Sequence, residues 1–198
     1  MQTAPAITDS LSPMPQESAS LRAWEYLAQR ARQLAIADKI EYALLIQSQA
    51  LQLIRRLLCC PILQTHPDRC LDAWVASHHH IAHLLTKRQQ LALAANYLCD
   101  AHMGLLSLIQ PDSPCIAVQQ ALWRHLRDTH VALLHWQRQH GHSAEVEAAL
   151  QASVRESDAA VCRCTARSGR DCDALRKESS RSNVEFTDFT PNSLISLH

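Results

Sequence analysis

The chain has 198 residues and a mass of 22.2 kDa, enough for one domain with a core of its own and for extended ends. Lys and Arg number 19, Asp and Glu number 19, and the pI is about 7.2, which excludes a protein steered by its overall field onto nucleic acid or an anionic membrane. With only 3 glycines and 5% aromatic residues, and with Leu, Ala, Gln and Arg dominating the middle, the composition points to an all-α fold.

The opening MQTAPAITDSLSPMPQ has no basic start followed by an apolar run, and no apolar run is long enough for a bilayer. No membrane association is expected, and the cytoplasm is the expected location. Of the 8 cysteines, Cys59 and Cys60 are adjacent while Cys70, Cys99 and Cys115 fall in helical segments, so reduced thiols are expected instead of a disulfide framework.

Residues 1–19 carry Pro5, Pro13 and Pro15 among Ser, Thr and Gln, and predict a disordered leader. A first helix is predicted from Ser20, as N-cap, to Ile36, with Leu21, Trp24, Leu27, Ala31 and Leu34 on one stripe. Asp38 is expected to cap a second helix, with Glu41 completing a capping box, and Pro61 requires that helix to end by about Cys59. Thr65-His66-Pro67-Asp68 signals a third helix from His66 to Leu85: a Thr cap, a proline in the first turn, and an acid where the helix dipole favours one.

After a turn at Thr86–Gln89, a fourth helix is predicted to Ile109, closed by Pro111-Asp112-Ser113-Pro114. A fifth runs from Pro114 to Gly141, which suits a left-handed helix exit, and a sixth from Ser143 to Glu156. From Ser157 the chain has mixed charges and serines without helical period, so residues 157–198 are predicted to be a disordered tail around a helical domain of residues 20–156.

The predicted hairpins repeat. Ala31, Ala43 and Ala50 return as Ala82, Ala94 and Ala101, each 51 residues on. Small side chains at these points let paired helices approach closely. With Ile81, Leu85 and Leu98 at the neighbouring positions, the pattern resembles the tetratricopeptide repeat (TPR), in the long-helix variety found in kinesin light chains. The first hairpin carries Leu27 and Leu34 in register but departs from the pattern at Arg30 and Gln47, where apolar residues are expected. Ala132 and Ala144 would begin a degenerate third repeat. The resemblance implies antiparallel helical hairpins stacked as a short solenoid; the alternative is an up-and-down bundle in which the alanines are core filler.

Histidine is the conspicuous residue, with 12 in the chain and His78, His79 and His80 consecutive. His79, His83 and Lys87 follow at steps of four on one helix face. By the resemblance this face lines the concave groove that grips a peptide, and Arg32, 51 residues before His83, extends it. Such a row suits a partner protein or peptide bearing carboxylates, with a grip that tightens as the imidazoles charge. His78 and His80 are expected to pack or hydrogen-bond between helices, and Trp123 and Trp136 to pack in the core.

A second reading is a metal site: His79 and His83 have i, i+4 spacing, and Cys99 and His102 on the antiparallel partner have i, i+3 spacing. A third is a domain that serves only homo-oligomerisation. Three scattered glycines build no phosphate loop, and there is no nucleophile-elbow serine or paired-carboxylate cluster, so neither an enzyme activity nor a cofactor is expected. Cys162, Cys164 and Cys172, interleaved with arginines in the tail, match no structural zinc spacing.

Overall fold

The computed structural model of the chain describes residues 14–110 and 115–159. The chain divides into two units, Met1–Glu156 and Ser157–His198, and all the described helices belong to the first apart from the end of the last one. The predicted leader as far as residue 13, the predicted stop over 111–114 and the predicted tail from residue 160, with Cys162, Cys164 and Cys172, lie outside the described residues.

Among the described residues the fold is all-α: α1 Met14–Ile36, α2 Ile40–Leu57, α3 Ile62–Thr65, α4 Pro67–Lys87, α5 Leu91–Ser107, α6 Ile116–His140 and α7 over 144–159. α1 begins at Met14 and not at Ser20, because Pro15 falls in the first turn, where its missing N–H breaks no bond. Thr65 does not cap α4; its hydroxyl donates back to the Ile62 carbonyl at 3.1 Å, closing the single turn of α3, and His66 is the N-cap. The capping box expected at Asp38 is absent as well. Asp38 takes φ +57°, Lys39 becomes the N-cap without a side-chain bond, and Glu41 is drawn away into an ion pair with Arg88 at 2.9 Å.

Two hairpins, α1–α2 and α4–α5, are followed by α6; α2 packs on α4, α5 on α6, and α4 also touches α1 and α6. The six alanines of the sequence repeat lie where the hairpins close, and all are between 0% and 2% exposed. Their turns agree residue for residue. Asp38 (φ +57°) corresponds to Gln89 (φ +61°), and Lys39 (φ −89°, ψ 61°) to Gln90 (φ −90°, ψ 62°).

The backbone bonds Ala37 N–H to Gln33, Asp38 to Ala35, Lys39 to Leu34 and Ala43 to Lys39 recur as Arg88 to Leu84, Gln89 to Thr86, Gln90 to Leu85 and Ala94 to Gln90, every one displaced by 51 residues. The 51-residue period is therefore a property of the backbone as well as of the alanines. It loosens further on. Ala132 is half-buried and Ala144 exposed, and Leu133, Val146 and Ala149 take the buried places between α6 and α7.

Close approach is sharpest between α4 and α5. A Cβ on Gly104 would stand 2.5 Å from Trp74 Cζ2, and the Trp74 indole N–H donates to the Ala101 carbonyl at 3.1 Å. The hairpins are joined by Trp24, whose indole N–H donates to Ser77 Oγ at 2.9 Å.

Candidate functional site: a cationic face on α1 and α4

From Pro67 to Lys87 α4 is unbroken, so the 100° step between residues fixes where each side chain points. Leu71, Trp74, His78, Ile81, Ala82 and Leu85 are buried, and Asp72, His83 and Lys87 are exposed on the opposite side. His79 and His80 lie at the border, both half-buried.

Of the predicted residues, Arg32, His83 and Lys87 all lie close enough to His80 to act on its imidazole, and His79 stands half-buried beside it on α4. The His80 Nδ1–H donates to Gln47 Oε1 of α2 at 2.9 Å. Burial holds the His80 imidazole below its usual pKa, and the neighbouring charges of Arg32, His83 and Lys87 act in the same direction. His79 is also held low, by burial alone. Both rings thus charge only at more acid pH than an ordinary histidine, so the share of any tightening that they carry lies at lower pH.

The quartet is Arg32, His80, His83 and Lys87, with Gln47 as its buried support at 1% exposure. Gln47 was the available signal: a polar residue in an apolar register of the repeat marks a buried hydrogen bond. Among the described residues, Arg69, Arg88, Arg124 and Arg127 each have a carboxylate partner, in Glu25, Glu41, Asp68 and Asp128. Arg32 and Lys87 form no ion pair with a described carboxylate.

The metal quartet does not assemble. His102 is fully buried with Nδ1 2.8 Å from Thr129 Oγ1, its ring beside His130 of α6. Cys99 is buried, and burial first, then the charges of Asp100 and Glu145, push its thiol up to about 11. His83 faces solvent with the cationic group. Among the described residues no three His, Cys, Asp or Glu side chains come together in a way that could hold a metal ion.

His78 lies between helices as expected, with Nδ1 3.0 Å from the Tyr97 carbonyl. Trp136 is buried, but Trp123 is 36% exposed and is no core residue.

The class so defined is, among the described residues, an all-helical protein of paired hairpins with a cationic face on α1 and α4. No described helix is long and apolar enough to cross a membrane. Residues 22–170 match the model of a family described as protein of unknown function (DUF2753), and the chain belongs to that family. No curated protein and no solved structure matches it.

Proposed function

We propose that this protein is a cytoplasmic interaction module, a short TPR-like stack of helical hairpins that binds a carboxylate-bearing segment of a partner protein on the α1/α4 face. One observation carries the reading: Arg32 and Lys87, on two different helices, flank His80 and His83 with no described carboxylate to neutralise them. Arg22, Arg30, Lys39, Arg138 and Arg155 also form no ion pair with a described carboxylate; what sets Arg32 and Lys87 apart is that both act on the same buried-side histidine, His80. The side chains differ in role. Arg32 offers a planar fork for a carboxylate, Lys87 a mobile point charge, and His80 a ring oriented by Gln47.

The repeat of turn geometry and buried alanines every 51 residues supports the stacked-hairpin architecture. Free thiols at Cys59, Cys60, Cys70, Cys99 and Cys115 are compatible with a reducing compartment.

The test is an arrayed library of acidic and C-terminal peptides probed with the full chain. Captured sequences are expected to share a carboxylate, and Arg32→Ala with Lys87→Ala to weaken capture by on the order of tenfold per charge removed. Capture that ignores both substitutions, or peptides with no common acidic feature, would refute the reading.

A further inference from the structure

At the junction of the first and second hairpins, the turn of one reaches back to the other. Arg88, just after α4, places its guanidinium against the Glu41 carboxylate in the first turn of α2, at 2.9 and 3.0 Å. At the next junction both members of that pair are missing. Ala92 stands 51 residues after Glu41. Gly141 ends α6 as Arg88 ends α4, each followed by a two-residue link to the next helix, but at a displacement of 53 and with a different backbone, φ 88° and ψ −179° against φ −86° and ψ 5°.

Two side chains have been removed from one spot, and a cleft of about 280 Å³ is left there, lined by Ala92, Asn96, Trp136, His140, Ser143 and Glu145 as well as Gly141.

We propose that this cleft receives an arginine side chain from a partner protein, which restores from outside the guanidinium–carboxylate pair that the preceding junction makes with Arg88 and Glu41. The lining has the chemistry for it. Glu145, 53 residues after Ala92 and so in the same register as Glu41, supplies the carboxylate from the opposite wall. Its Oε2 accepts from Ser143 Oγ at 2.5 Å, and a backbone N–H also bonds the carboxylate, which together hold it in place at the exposed rim of the cleft.

No Lys, Arg or His among the described residues pairs with it. Trp136 and His140, in tilted contact with ring centroids 4.1 Å apart, give the aromatic wall on which a planar guanidinium packs better than an ammonium. Asn96 adds a side-chain amide acceptor. These residues are distinct from the α1/α4 quartet, so this site stands or falls independently of it.

The test titrates the full, isotope-labelled chain with N-acetyl-arginine methylamide, its uncharged citrulline isostere and the lysine analogue, following backbone amide shifts. The arginine probe is expected to give saturable shifts at Ala92, Gly141 and Ser143. The citrulline and lysine analogues, and the arginine probe on Glu145→Gln, are each expected to bind at least about tenfold more weakly. Ala92→Arg, an exposed substitution that supplies a guanidinium from within the chain, is expected to abolish the shifts. Equal response to arginine and citrulline, equal response to arginine and lysine, or undiminished binding by Glu145→Gln would each overturn the proposal.

Discussion

His78 and His102 are fully buried, and the hydrogen bonds around them fix which ring nitrogen carries the proton. A carbonyl can only accept, so His78 Nδ1–H donates to Tyr97. Thr129 has a single hydroxyl proton, directed at the His125 or Leu126 carbonyl, both 3.0 Å away, so His102 Nδ1–H donates to Thr129 Oγ1. The Nε2 of each ring has no protein partner and must stay unprotonated in the folded state.

Burial accordingly pushes both imidazoles down from 6.5 to about 4; for His78 the Tyr97 bond opposes this in part, and for His102 His130 adds to it. The sign follows directly. Between about pH 6.5 and 4 the unfolded chain takes up protons that the native state refuses, so stability present above pH 6.5 is lost as pH falls through that window. The expected slope is about 1.4 kcal/mol per pH unit for each of the two rings. Urea unfolding at pH 7 and pH 5 measures it, and an unchanged midpoint would mean that these rings titrate normally.

The α4–α5 hairpin makes its own demand. Trp74 is held by its bond to Ala101, by the His78 ring 4.3 Å away and by the Arg55 guanidinium 5.7 Å from its centroid, so it has little room to retreat from a new methyl group. Gly104→Ala, normally favourable in a helix, is expected to lower stability by about 1–3 kcal/mol through overpacking, read from a thermal melt beside a Trp74→Phe, Gly104→Ala chain that relieves part of the clash.

Helices of this kind are legible in sequence because apolar spacing, Pro67, Pro61 and Gly141 are local signals. The start of α4 and the exit of α6 were readable within a residue or two. The roles of Asp38, Glu41 and His80 were not. Asp38 takes a left-handed turn position in place of a cap, while Glu41 and His80 depend on residues 47 and 33 positions away, and which of two adjacent histidines meets Gln47 depends on how α2 crosses α4, an angle that no local pattern encodes. The cleft at Gly141 was equally hidden, since it is made by side chains that are missing from two separate segments.

On the scale of the whole molecule, near-neutral net charge conceals an uneven distribution. No Asp or Glu occurs in residues 76–90 or 129–143, which together hold eight of the 12 histidines, while the paired acids Glu25, Glu41 and Asp68 sit at other points of the helical unit. A balanced total thus leaves one α4 surface to cations and sets the single carboxylate of Glu145 beside His140 and His142 in a separate opening. The first surface lies where the period of 51 is kept in the backbone, and the second where it slips to 53.

The matching turns at Asp38 and Gln89 have one more consequence, for how long such a chain can be. If residue 38 and residue 89 enter their turns with the same dihedral angles, the segment 38–88 is a cassette with interchangeable ends, and a second copy spliced in after Arg88 begins and finishes on backbone of the shape it already had. The lengthened chain is expected to fold, with ellipticity at 222 nm rising in proportion to the added helices, whereas a copy cut one residue out of phase is expected to melt early or not to fold. Length, in a protein built this way, changes by whole words and not by letters.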